Sequence, residues 1–329
     1  MAIEGIESFA NLAFADLALK YQGVSANSIQ ATAGRWGGPC LRMTTTGHVL
    51  QMAISAATTV GQAVALKLGA IGGSGLTIMA FAESGAGHVD LRLQPDGTLR
   101  ATRSGTTLGI SMNSIIAGVW YHIEMKTVIH DSTGTVNVWV NGVSWLSLTG
   151  QDTRNAGTGT VTRVELHVHS NTNHDFSDWM VYSGATGPLG DHRVGPKLPS
   201  AEGATIQWTP STGTNNAVLV DEANQNGDTD YNSSAVVDDI DTYTAVALGL
   251  TGVVAAIQVN VWARKDDAGS RTLAPVIRRS ATDYAGTAQS VLDSYSCVDK
   301  QVYETDPSTA AAWTVTNLDA AEYGQKLVS

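Results

Sequence analysis

The sequence predicts an all-β protein built as two β-sandwich (jelly-roll) domains. Three observations carry that expectation. Apolar and polar residues alternate with period two in many short runs, the pattern of half-buried strands. Gly, Asn, Ser and Pro separate the runs, and the 34 glycines supply the positive φ that tight turns need. At 329 residues the chain is longer than one sandwich usually requires, so two domains are the natural division.

The opening segment carries one short helix, over residues 11–20, with Leu12, Ala15 and Leu19 sharing a face. Strands follow at 51–55, 64–68, 77–82 and 88–93. Gln94-Pro95-Asp96-Gly97 then makes a turn, because Pro presets φ and Gly accepts the left-handed position. A strand resumes at 98–103. From 119 to 148 the pattern is clearest: Trp120, His122, Glu124 and Lys126 alternate with Tyr121, Ile123 and Met125. After a loop, 135–140 and 143–148 form a hairpin closed by Asn141-Gly142, with Trp139 and Trp145 on its arms. Strands 163–169 and 177–182 complete a first domain of residues 1–195. Pro196 and Pro199 mark an extended linker over 196–203. A second, smaller sandwich, 204–329, has strands at 204–209, 241–248, 257–264, 272–280, 300–304, 312–316 and 323–328.

Composition excludes several function classes. The net charge is −11 and the longest basic run is Arg278-Arg279, so no nucleic-acid partner is expected. No stretch reaches the roughly 18 apolar residues that span a bilayer. The first residues include Glu4 and Glu7 and lack a basic then apolar pattern, so no signal peptide is expected. Cys40 and Cys297 fall in different domains and are expected to be free thiols, with folding in a reducing compartment.

Several segments carry a resemblance. Gly34-Arg35-Trp36-Gly37-Gly38-Pro39-Cys40-Leu41-Arg42, Trp120-Tyr121-His122-Ile123-Glu124, Val136 through Gly142, Phe176 through Tyr182 and Gly190-Asp191-His192-Arg193-Val194 occur in order. This series resembles the laminin-G/concanavalin-like domain of bacteriophage virion proteins. Gln207 through Ser211, Asn224 through Tyr243 and Asp306 through Gly324 are similar to a second region of such proteins. The resemblance implies that the first sandwich is concanavalin/laminin-G-like. It implies a non-enzymatic structural component of the phage particle, a capsid decoration, head fibre or tail-associated protein. Such a component would assemble with other virion proteins and as a homo-oligomer, and would reside in the virion. Two alternatives stand beside it. One is a carbohydrate-binding adhesin contacting a host-surface glycan, with Trp120, Trp139, Trp145 and Trp179 as stacking faces or as core. The other is a glycoside hydrolase.

A glycosidase needs two facing carboxylates. No strand carries an alternating Glu-x-Asp-x-Glu, and Glu124 and Glu165 stand alone in theirs, so no catalytic residue is expected. Asp228-x-Asp230-x-Asn232 with Asp239 at the twelfth position begins like a calcium loop, although Ser233 replaces the usual Gly. Asp175 with Asp178 is a second calcium candidate, in a strand where Ser177 stands for the family's frequent Asp. His167-x-His169, with His174 nearby, has a spacing that zinc sites use, but an exposed polar face is the simpler expectation. Gly72-Gly73-Ser74-Gly75 is expected to be a turn, not a phosphate cradle.

Overall fold

Period-two alternation in this chain does produce antiparallel sheets throughout, and the fold is all-β. The computed structural model describes residues 1–24, 27–45, 47–72, 75–168, 172–185, 187–299 and 301–329. His169, Gly73 and Ser74 lie outside the described residues. The chain divides into two units, residues 1–10 with 21–194 and residues 11–20 with 195–329.

The first unit contains β1 (Ala2–Glu7), β2 (Asn27–Gln30), β3 (Cys40–Met43), β4 (His48–Ala57), β5 (Thr59–Leu68), β6 (Leu76–Glu83) and β7 (Ala86–Leu93). It continues with β8 (Thr98–Arg103), β9 (Thr106–Ser114), β10 (Trp120–Val128), β11 (Gly134–Val140), β12 (Val143–Gln151), β13 (Val161–Val168) and β14 (His174–Ser183). One sheet of eight strands runs β12-β11-β10-β5-β14-β3-β2, with β1 also on β14. The other, of six strands, runs β4-β13-β6-β7-β8-β9.

Their inner faces form the core. Leu66, Ile123, Val138 and Trp179 come from the first sheet, and Leu50, Phe81, Leu91 and Leu166 from the second, all essentially sealed from water. One polar side chain crosses this core. Gln62 of β5, fully buried, donates from Nε2 to the Ala80 carbonyl of β6 at 3.0 Å and accepts from Trp179 Nε1 at 3.2 Å. Both ends of its amide are therefore satisfied, as burial demands. Asn141 and Gly142 close the β11–β12 hairpin with φ of 50° and 78°, as the two-residue turn requires.

In the second unit, α1 (Phe14–Lys20) precedes β15 (Pro199–Ile206), β16 (Thr209–Pro210), β17 (Asn232–Ser233), β18 (Ile240–Ala245), β19 (Ile257–Gln258), β20 (Val261–Ala263) and β21 (Arg271–Arg279). Then come β22 (Thr282–Ala285), β23 (Gln289–Val291), β24 (Ser296–Val298), β25 (Val302–Tyr303), α2 (Val315–Asp319) and β26 (Glu322–Leu327). A six-stranded sheet runs β15-β18-β26-β21-β22, with β23 also on β21. The pairs β19-β25 and β20-β24 pack against it through clusters centred on Ile277 with Trp313 and on Leu273 with Val298.

Several expectations are corrected. The segment 11–20 groups with the second unit, not the first, because Leu17 is fully buried there, Lys20 pairs with Asp299 and Asp16 accepts from Gln225. Its buried side carries Leu12 and Leu17, while Leu19 is 37% exposed. The linker 196–203 is largely strand: β15 starts at Pro199, and an edge strand tolerates a first residue that cannot donate. The run 257–264 breaks into β19 and β20, which pair with different partners. Residues 312–316 run into α2 instead of a strand, because the Thr314 side chain accepts from Asn317 N–H and caps a helix. Strand β9, with exposed Ile110 and Met112, escaped the sequence pattern.

No helix among the described residues is long and apolar enough to cross a membrane.

Candidate functional site

The outward side of the six-stranded sheet gathers charged side chains from several strands. Strand alternation decides which ones. On β13, Val164 and Leu166 point into the core, so Arg163, Glu165 and His167 point out. On β7, buried Val89 and Leu91 leave Asp90 and Arg92 outward. On β8, buried Leu99 and Ala101 leave Arg100 and, at a sealed position, Thr102. The register aligns Gln51, Glu165, Ala80, Asp90 and Thr102 in one row. Glu165 and Asp90 are thus two strand spacings apart, about 10 Å between backbones. Ala80 lies between them, and Ala82 and Gly87 continue the floor in the next row. Only small side chains stand between the two carboxylates, and both alanines are nearly sealed, Ala80 at 7% and Ala82 at 2% exposed.

Each carboxylate is held by its neighbours. Glu165 accepts from Arg163 Nε at 2.6 Å and Gln51 Nε2 at 2.9 Å, and its second oxygen lies 2.6 Å from His167 Nε2. Burial works to raise its pKa, but the hydrogen bonds and charges of His167 and Arg163 outweigh it and hold Glu165 below the usual carboxylate range. Asp90 accepts from Arg92 Nε at 2.5 Å, Thr77 Oγ1 at 3.0 Å and the Thr102 hydroxyl. Such carboxylates orient their partners. Both bonds use the arginine Nε, and each guanidinium carries further N–H donors beyond it.

The outward side of the eight-stranded sheet has a different use. Glu124, 1% exposed, accepts from Tyr182 Oη at 2.5 Å, Leu189 N–H at 2.8 Å and Gly190 N–H at 3.1 Å, which fastens the exit segment onto the sheet. His192 of that segment lies 3.2 Å from His122. Asp178, at φ 55° where β14 shifts register, accepts from Val194 N–H and Trp36 Nε1. Burial leads in pushing its pKa up.

The residues singled out in sequence are placed as follows. Asp175 forms ion pairs with Arg42 and Lys67, while Asp178 serves the exit segment, so the two act separately. Asp228 pairs with Arg264 and accepts from Tyr295, Asp230 accepts from Asn226, Asn232 donates to Asn216 and Tyr243, and Asp239 accepts from Ser234. Among the described residues, no group of three or more His, Cys, Asp or Glu is placed to hold a metal ion. His167 turns to Glu165. Trp179 is core, while Trp120, Trp139 and Trp145 are half-buried, and Lys67 lies over the Trp120 ring at 5.1 Å. Gln51, Asp90, Arg92, Arg100 and Thr102 were missed. Their signal was present: in 88–93 and 98–103 charged or hydroxyl side chains alternate with Val, Leu and Ala.

No protein-family model matches the sequence, and no curated protein matches it. Among solved structures, a sialidase is similar at 15% identity and a TM-score of 0.41, over 55% of this chain and 18% of that one. Domain 4 of AbnA, a GH43 extracellular arabinanase from Geobacillus stearothermophilus in complex with arabinotriose, is similar at 16% identity and a TM-score of 0.40, over 56% and 94%. A variant of the alginate lyase Aly36B in complex with alginate tetrasaccharide is similar at 13% identity and a TM-score of 0.38, over 56% and 95%. This chain therefore spans about a fifth of the sialidase, where the match covers 18% of its length.

Proposed function

We propose that the outward face of the six-stranded sheet binds saccharides and that the protein works by binding rather than catalysis. One observation carries this reading: the row Gln51–Glu165–Ala80–Asp90–Thr102, polar at both ends with only Ala80 between. A sugar ring offers hydroxyls at its edge, which need donors and acceptors at fixed positions. Here they are fixed before any ligand arrives, so little ordering entropy opposes binding. Hydrolysis requires a carboxylic acid that still holds its proton. Glu165, held below the usual range by His167 and Arg163, is suited to fixing those neighbours instead.

The test is a glycan array followed by calorimetry on the hits, with reducing-sugar release measured in parallel. Saturable binding without cleavage supports the reading. Cleavage of a bound glycan would make the chain an enzyme, and a blank array at high protein concentration would remove the saccharide surface.

The ordered motifs from Gly34 to Val194 support a second proposal, a component of a phage particle that assembles with other virion proteins. The saccharide surface would then serve attachment to the host. Cryo-electron microscopy of particles, with density traced for this chain, tests that location.

A further inference from the structure

Charge on this face does not balance. Arg163 is matched by Glu165, and Arg92 by Asp90. Arg100 has no such counterpart: its Nε–H is buried and finds no hydrogen-bond partner among the described residues. Arg100 also lies directly across the β7–β8 ladder from Arg92. Like charges in that position repel. The side-chain amide nitrogen of Gln94, the first residue past the end of β7, is buried and likewise unpartnered among the described residues. Buried donors without acceptors call for an explanation, such as an ordered water or a bound ion. The two side chains are neighbours: a Cβ added at Gly75 would sit 2.7 Å from Arg100 Nη2 and 3.7 Å from Gln94 Nε2. On the far side of Arg100, the register places Ile110, exposed and apolar. All this occurs in a chain of net charge −11, which has every reason to pair an arginine if pairing were its purpose.

We infer that Arg100, with Arg92 and Gln94, forms a subsite for the carboxylate of an acidic sugar, with Ile110 beside the ring. The inference rests on the saccharide-binding reading of the same face. A guanidinium takes a planar carboxylate in two parallel hydrogen bonds, and Gln94 supplies another donor. The bound anion would relieve the Arg92–Arg100 repulsion, and a turn of the Arg100 and Gln94 side chains toward it would satisfy their sealed donors.

The experiment is a titration of the full chain with an oligouronate, a neutral oligosaccharide of equal length, and acetate. Affinity is read by calorimetry, and contact at the site by the Nε–H resonance of Arg100. The oligouronate should bind more tightly than the neutral sugar and shift the Arg100 resonance. Arg100→Ala should weaken it roughly tenfold or more, the size expected for losing a charged hydrogen bond. Arg100→Lys, which keeps the charge but loses the fork, should recover only part of that loss. Unliganded Arg100→Ala should melt no lower than the parent, since it removes a repulsion and an orphan donor, so poor folding would not explain its loss of binding. Equal binding of both sugars, unaffected by Arg100→Ala, would overturn the subsite and leave the saccharide surface standing. Acetate shifting the Arg100 resonance while neither sugar binds would retain the anion site and remove the saccharide surface. No response to any of the three would overturn both.

Discussion

Glu165 and Asp90 stand in one row of the six-stranded sheet with Ala80 alone between them. Neither carboxylate is free: one is tied to Arg163, Gln51 and His167, the other to Arg92, Thr77 and Thr102. Ala80 is thus flanked by rigid polar walls. Bulk placed there should push those walls apart. Ala80→Phe is expected to abolish saccharide binding, and because Ala80 is only 7% exposed a melting curve run beside the calorimetry separates lost binding from lost folding. Retained affinity in calorimetry would move the ligand off this row.

Glu124 is a test of the opposite face. It takes three donors at once, Tyr182 Oη and the N–H groups of Leu189 and Gly190. Glu124→Ala strands all three. Each buried donor left without a partner costs ~1–3 kcal/mol, so a loss of at least about 3 kcal/mol is expected in urea denaturation. Tyr182→Phe removes one donor only and should cost clearly less.

The pH dependence of stability has a definite sign at His122. Burial leads in holding its imidazole below the ordinary range; His192 and Arg35 add to this, while Asp191 opposes them. The unfolded chain, with an ordinary imidazole, therefore takes up a proton near pH ~6.5 that the folded chain refuses. Stability contributed by keeping this group neutral is complete above that pH and falls as the pH drops toward the lowered folded value. The loss reaches at most about 1.4 kcal/mol per pH unit. His122→Gln should flatten this part of the curve, measured by denaturation at a series of pH values. An unchanged slope would mean that His122 is protonated in the fold.

Cys40 should be chemically silent in the folded protein. It is fully buried, and burial, followed by the charge of Asp175, pushes its thiol up to about 12. Reaction with a thiol reagent at pH 8 should reach Cys40 only after denaturant is added. Mass spectrometry of the labelled peptides distinguishes it from Cys297, which is partly exposed.

Period two and turn chemistry alone determined the all-β class, the β11–β12 hairpin at Asn141-Gly142 and most strands of the first unit. Both signals are local, set by residues a few positions apart. Signals fail where the competing partner is distant in sequence. Residues 257–264 alternate like one strand, yet their halves pair with β25 and β24. The segment 11–20 reads as a lead-in to the first domain, yet its buried side chains serve the second unit. The same limit governs the candidate site. Glu165 stands alone in β13 as a string of letters, and Asp90 alone in β7. Only the strand order β13-β6-β7-β8 sets them in one row, with Arg100 opposite Arg92 and its Nε–H without a partner among the described residues. Side-chain facing is a property of each strand, whereas adjacency between strands far apart in sequence is decided when the sheet assembles.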